Sequence, residues 1–393
     1  MMRTLLIVLA LVQPAQRPPL APAETLLEPA VLAAIRDEAV KHDPPGASKI
    51  AGRQSPIEGA NAAAGDIVLG SEPGNGAAAL AMQTLRSLIE AKRLPKPQRT
   101  IRLVALDATP PANTRAAILL RPVSTSVGFG VIRNLWANAS ITDEVVELFG
   151  RHFAGIVEVG EMTTVQARWE TPGVATTMIF YRINDRERTA ALAAAASAYF
   201  LATLPNPGAE ALLSHLMVGA HARLAEDGRK AVAQMGNQQR AGAEVLIMFT
   251  HAIEREQRRI RSFAQFMPTP LDPVVGGRLS DMATSITSVW SSMGITSSPF
   301  VPAAERIRGR GGEDRRVPSR LSNGPLPTPE PPTAMLKFPN LDVVVYELGN
   351  FIDGKRSISD IRDAVSAEFG PIALPVVTDY FERLAKTGAV AIR

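Results

Sequence analysis

The spacing of apolar and polar positions divides the chain into regions of different character. Residues 27–41 place Leu32, Ile35 and Val40 on one helical stripe. Residues 46–64 are small-residue loop material. Asp66 to Gly70 is a short apolar run bounded by glycine, the pattern of a buried strand. Residues 76–92 enter from a Gly/Pro turn and carry Leu80, Leu85 and Leu88 inward, which predicts a helix. A strand is predicted over 100–106, and further apolar runs lie within 123–135 and 153–159. Residues 174–181 are rich in β-branched and aromatic side chains and read as the clearest late strand. Strands alternating with helices over 60–205 predict an α/β layer with a small, parallel or mixed sheet and flanking helices.

Beyond residue 190 the pattern turns helical. An Ala-rich helix is expected over 190–204, a second over 209–226, and a long third from 230 to about 266. The third carries an Arg-heavy stretch, which reads as a solvated face. Residues 298–335 lose all apolar periodicity and read as a Pro/Arg/Gly-rich linker. A C-terminal module follows over 336–393. Its first helix, 341–352, stops at Asp353-Gly354. A second, 360–369, is capped by Ser357 or Ser359, and a third spans 374–386. A closing strand runs over 389–392, so the module is expected to be winged-helix-like. That topology serves DNA binding in some proteins and packing in others.

The first residues read differently. Met1-Met2-Arg3 supplies a positive start, residues 4–12 are unbroken apolar, and Gln13-Pro14 ends the run. The run is too short for a transmembrane helix and suits a signal peptide over 1–16. Export to a periplasmic or extracellular space is therefore expected, with no span in the mature chain. On this reading the domains are 25–205 (α/β), 206–297 (helical), the linker and the C-terminal module.

Composition narrows the chemistry. The 42 basic and 38 acidic residues nearly balance, which gives no electrostatic argument for a nucleic-acid partner. Cysteine is absent, which removes disulfides, thiolate nucleophiles and Cys-based zinc sites. Any metal chemistry must draw on His42, His152, His215, His221 and His251. His215 and His221 stand nearly opposite in helical phase and make no metal pair. His251 with Glu254, near Glu256, has the i,i+3 spacing of carboxylate-bridged metal bundles but lacks a matching second pair. Neither a G-x-S-x-G elbow nor a phosphate loop occurs. Asp185 to Arg188 reads as a solvated loop at a strand end. Asp66, Glu72 and Asp107 have the means to meet at one sheet edge.

Three segments resemble one family. Gly76-Ala-Ala-Ala-Leu80 with its helix is similar to the D-N-A-S-G-x-A-A-L segment of the M28 zinc aminopeptidases. Arg99-Thr-Ile-Arg-Leu-Val-Ala-Leu-Asp107 is similar to that family's following strand. Residues 353–370 resemble the C-terminal module of its larger bacterial members. The resemblance implies a two-zinc hydrolase site built from His and carboxylate ligands with a Glu base. Carried through this chain, the bridging Asp falls at Glu72 and the Glu-Glu pair at Thr109 and Pro110. The next Asp falls at Trp136 and the final His at Arg188. A guanidinium has no lone pair for a metal, and Pro and Trp do not ligate zinc. The resemblance therefore implies a relative without zinc or another cofactor, a non-catalytic binding or scaffold protein for a protein or peptide partner. If Trp136 and Arg188 line a surviving pocket, they favour an anionic or aromatic ligand. The alternative is an active metallo-aminopeptidase or related hydrolase with relocated ligands, Glu72, Asp107 and a histidine from the helices. A third reading makes 340–393 a DNA- or peptide-binding module in a cytoplasmic protein.

Overall fold

The structure is a computed structural model that describes residues 23–42, 55–72, 75–106, 111–123, 128–155, 157–160, 174–182, 186–236, 242–267, 313–321, 326–338 and 340–393. The signal-peptide reading of 1–16 lies outside these residues. The described residues fall into two compact units, one drawn from 19–216 with 259–270 and the other from 217–258 with 271–393.

The first unit is a six-stranded mixed sheet flanked by helices. Its elements run α1 (Pro29–Val40), β1 (Asp66–Ser71), α2 (Gly76–Glu90), β2 (Thr100–Ala105), β3 (Thr114–Val123), β4 (Phe129–Ile132), α3 (Ile141–Ala154), β5 (Glu158–Gly160), β6 (Ala175–Arg182) and α4 (Glu187–Thr203). Strand order across the sheet is β2-β1-β3-β6-β4-β5. The first four in that order are mutually parallel. β4 lies antiparallel to β6, with Phe129 opposite Tyr181 and Ile132 opposite Met178. β1 is buried along its whole length, as is the stretch Ala116–Leu120 of β3. Strands covered on both faces read as continuous apolar runs, which is why β1 stands out in sequence, whereas β3, the strand beside it, is missing from the sequence reading.

The Ala-rich helix α4 packs against α2, α3 and the sheet. Every residue from Ala193 to Ala196 is essentially inaccessible. Methyl side chains let three neighbours approach one helix closely, so its composition reflects crowding on all sides rather than propensity alone. The ring of Phe149 on α3 meets that of Phe200 on α4 at a centroid distance of 6.0 Å.

Two expectations change here. Phe153 closes α3 instead of opening a strand, and β5 is confined to Glu158–Gly160. A short apolar run has no period by which to distinguish a helix end from a strand. The long helix expected from 230 to 266 is observed as α5 (Gly208–Gly236) and α6 (Gly242–Ala264). Its arginines are only partly a solvated face: Arg261 is exposed and Arg258 half-buried, but Arg255 and Arg259 are buried. Glu256, wholly buried, accepts from the Arg223 Nε at 3.1 Å and the Arg255 Nε at 2.7 Å. The sequence shows charge density, whereas burial depends on what the helix packs against.

The C-terminal part of the second unit holds β7 (Pro318–Arg320), α7 (Leu341–Asn350), α8 (Ile358–Phe369), α9 (Leu374–Lys386) and β8 (Val390–Ile392). β7 and β8 form a two-stranded antiparallel sheet, so part of the stretch read as linker is a strand. Its partner lies some 70 residues away in sequence and leaves no local periodic signal. Of the two candidate caps, Ser357 is the one used: its hydroxyl accepts from the Asp360 N–H at 3.1 Å, and the Asp360 carboxylate accepts from the Ser357 N–H at 3.0 Å. Ser359 instead accepts from the Asp314 N–H at 2.9 Å.

Candidate functional site

The strand order directs attention to one edge of the first unit. The chain leaves β1 for β2 on one side and later returns to β3 on the other, so the crevice between the carboxyl ends of β1 and β3 is a switch point. Open α/β sheets bind ligands at such a crevice because the loops above it diverge and helix N-termini face it.

Glu72 leaves the end of β1 and Arg121 lies near the end of β3, with Glu72 Oε1 3.7 Å from the Arg121 Nε. Asn75 caps α2. Its side-chain oxygen accepts from the Ala77 N–H at 3.0 Å and the Ala78 N–H at 3.4 Å, while its amide donates to the Leu120 carbonyl at 3.0 Å. Tyr181, near the end of β6, donates its hydroxyl to the same Asn75 oxygen at 2.7 Å. Burial pushes the Tyr181 phenol up, and the nearby Glu187 and Glu72 carboxylates add to the shift. Glu187, the first residue of α4, accepts from the Gly76 N–H, and burial raises its pKa. The N-terminus of α2 is thus already supplied with acceptors by Asn75 and Glu187.

Arg186 stands at the N-cap of α4 and makes no side-chain cap. Arg188 is half-buried, and its Nε has no hydrogen-bond acceptor. Glu72 follows β1 and Arg188 stands in the first turn of α4 after β6, so both lie at the carboxyl ends of parallel strands. Trp136 does not. It lies in the 3-10 turn Trp136–Asn138 after β4, and because β4 runs antiparallel to β6 the chain leaves it at the opposite edge. The pocket lined jointly by Trp136 and Arg188 is not formed. Thr109, Pro110 and Asp107 lie outside the described residues.

Among the described residues, the donor set at this edge does not fit a pair of zinc ions. Glu72 is engaged with an arginine, Asn75 uses its oxygen on three donors, and Arg188 is a permanent cation. Among the described residues, no group of three or more His, Asp and Glu side chains is arranged to hold a metal. His251 Nδ1 lies 3.4 Å from Glu254 Oε2, while Glu256 is taken by Arg223 and Arg255. Asp66 binds the Arg102 Nε at 2.6 Å.

One cluster imitates a catalytic triad. His42 Nε2 lies 3.4 Å from both Ser87 Oγ and Glu38 Oε1. The Gln83 amide nitrogen, a donor, contacts His42 Nδ1 at 3.0 Å, so Nδ1 is the acceptor and Nε2 carries the hydrogen. An imidazole in that tautomer cannot take the Ser87 proton through Nε2. A cavity of 580 Å³ beside Ile57, Ile89, Leu94 and Pro95 contains none of the residues of the switch-point crevice.

Asn75, Arg121 and Tyr181 escaped the sequence reading, and Glu187 and Arg188, read as part of a solvated loop, instead open α4 half-buried, with Glu187 accepting from the Gly76 N–H. Only Asn75 left a signal, an Asn immediately before a helix opening on glycine and alanine.

No protein family description matches the chain, and no curated protein is similar to it. Among solved structures, a crystal structure named "putative peptidase" from Clostridium acetobutylicum aligns at 11% identity with a TM-score of 0.23. That alignment covers 86% of this chain and 60% of the other, so the chain spans less than two thirds of that neighbour's length. At this similarity it fixes neither fold nor activity.

Proposed function

We propose that this is an exported protein on an M28 peptidase-like scaffold, which binds a protein or peptide partner without hydrolysing it or holding zinc. The observation that carries the reading is the side-chain chemistry of the switch-point crevice. Where a dinuclear hydrolase needs neutral imidazoles and free carboxylates, this edge presents Arg188, an Arg121–Glu72 pair and an Asn75–Tyr181 hydrogen bond. The two arginines are donors suited to carbonyls and carboxylates and do not activate water, while the Tyr181 hydroxyl and the Asn75 amide are already spent within the fold and the Glu72 carboxylate accepts.

In the C-terminal module, Asp379 and Glu382 of α9 are paired with Arg383 and Arg316, each at 3.0 Å. Acidic side chains on that helix favour a packing or protein-binding role over contact with a phosphate backbone.

Zinc analysis of the purified full chain together with an aminoacyl-p-nitroanilide assay tests the reading. Trace zinc and no turnover are expected. Stoichiometric zinc with turnover that chelation abolishes would replace the reading with that of a hydrolase using relocated ligands, Glu72 and Asp107 among them. Fractionation of the producing cell tests export.

A further inference from the structure

We propose that the carboxyl edge of β3 and β6 holds a carboxylate of the peptide partner, gripped by Arg186 beside Arg121 and Phe180. The inference rests on the reading of this protein as a peptide binder and names the group that is recognised.

Strand register sets the site out. Arg121 of β3 stands opposite Phe180 of β6, and Phe180 stands opposite Gly130 of β4. Directly opposed residues share a face of a sheet, so these three positions form one row across it. The next row toward the strand ends is Val123, Arg182 and Gly128, where the Arg182 N–H donates to the Gly128 carbonyl at 3.1 Å. Gly128 and Gly130 are two residues apart and leave the same face of the chain bare. The Phe180 ring lies over Gly130, where an added Cβ would collide with its Cζ. Arg186 reaches over Gly128, its Nε 3.8 Å from where a Cβ would stand. Two guanidiniums and a half-buried ring thus share one face, with Gly128-Phe129-Gly130 as its floor.

The state of the arginines decides the ligand. Arg121 is matched by Glu72, with 3.7 Å between the Arg121 Nε and Glu72 Oε1. Arg186 is matched by nothing: among the described residues its guanidinium makes neither an ion pair nor a hydrogen bond. Glu187, the next residue, turns its carboxylate to the Gly76 N–H instead. The Arg186 Nε is shut away from solvent without an acceptor, whereas the side chain as a whole is half-buried. The two terminal nitrogens are therefore the end that a ligand reaches.

Partial burial of an unpaired cation is unfavourable, and folded proteins seldom leave such a group without a partner. The paired terminal nitrogens of a guanidinium match both oxygens of a carboxylate, and the charge persists at any pH the fold meets. Within the set Arg121, Glu72 and Arg186 one positive charge is left over. That suits a monoanion better than the near-double charge of a phosphate group. The Phe180 ring alongside suits an apolar group next to the carboxylate.

Calorimetric titration of the full chain with N-acetylphenylalanine tests this, set against N-acetylphenylalanine amide, N-acetyl-Asp-Phe amide and inorganic phosphate. Saturable binding of the acid is expected, about tenfold or more tighter than that of its amide. Arg186→Gln should lose about tenfold at an unchanged thermal midpoint, and Arg186→Lys, which keeps the charge without the fork, should fall between. Both carboxylate probes bear on the proposal: binding of the Asp-Phe amide as well assigns the group to an acidic side chain, and binding of the acid alone assigns it to a chain terminus. Four outcomes would overturn the proposal: no saturable binding of either carboxylate probe, equal affinity for the acid and its amide, tighter binding of phosphate, or a folded Arg186→Gln protein that binds as wild type does. Should both variants fail to fold, the wild-type comparison of acid with amide decides alone. Turnover of an aminoacyl-p-nitroanilide would remove the non-hydrolytic reading and leave the titration result standing, whereas a failed titration without turnover removes only the carboxylate.

Discussion

The Tyr181 hydroxyl donates to the Asn75 side-chain oxygen at 2.7 Å, tying the end of β6 to the cap of α2 across β3. Asn75 also donates to the Leu120 carbonyl on β3, so one amide side chain joins three elements at the switch point. This neutral network stands beside the charged Glu72–Arg121 pair at the same crevice.

Asn75→Ala removes the cap of α2 and leaves the buried Leu120 carbonyl and Tyr181 hydroxyl unpaired. A loss of about 2–4 kcal/mol is expected. Tyr181→Phe should cost about 1 kcal/mol, since only one bond is lost and Asn75 keeps its others. Urea unfolding of both proteins checks the ranking.

Arg99 is 5% exposed and donates to the Leu201, Leu204 and Phe266 carbonyls, with its guanidinium 5.0 Å from the Phe266 ring centre. Burial pulls its pKa down to about 10, yet it remains charged at neutral pH. Arg99→Met should destabilise by about 3–5 kcal/mol, because three carbonyls lose their donor. Arg99→Lys should recover only part of that, since one ammonium cannot span the fork. Thermal unfolding of the two variants distinguishes a lost charge from a lost geometry.

Asp143 and Glu147 should give stability opposite dependences on pH. The Arg133 charge and its hydrogen bond hold Glu147 below the usual carboxylate range despite burial. Its contribution is therefore present above the unfolded value and lost as pH falls through the folded one. Burial holds Asp143 above its usual range, so its ionised form opposes folding as pH rises through the folded pKa. Glu147→Gln should cost about 1–3 kcal/mol at pH 7, with the difference from wild type vanishing in acid. Asp143→Asn keeps an oxygen for the Asn134 and Thr177 donors and should change stability by less than about 1 kcal/mol at pH 7. Denaturant titrations across the acid range read both slopes.

Ser357→Ala removes the hydroxyl half of the capping box at the start of α8 and leaves the backbone N–H of residue 357 on the Asp360 carboxylate. About 1 kcal/mol should be lost. Asp360→Asn should lose less, and the double variant should fall short of the sum, because the two side chains serve one another. Chemical unfolding monitored in the C-terminal module measures the coupling.

α4 should tolerate no enlargement at its centre. Ala195→Leu inserts three carbons where the native side chain is 1% exposed, and about 1–3 kcal/mol or more should be lost to overpacking. A midpoint shift in thermal unfolding without loss of helical signal would mark local repacking as the response.

Local pattern alone determined much of this protein. The runs at Asp66–Ser71 and Ala175–Arg182 specified buried strands because both faces are covered, and the capped start of α8 followed from a serine that competes for free amides. The residue types at Glu72 and Arg188 likewise fixed what chemistry those positions can offer, since lone pairs belong to side chains and not to folds. Tertiary structure alone decided direction and partnership. The reversal of β4 sends Trp136 to the other edge, the Ile141 N–H at the start of α3 donates to Ser262, and Arg255 and Arg259 of α6 are buried rather than solvated. Each depends on contacts between residues far apart in the chain, and a pattern read along a sequence carries no term for what lies across the fold.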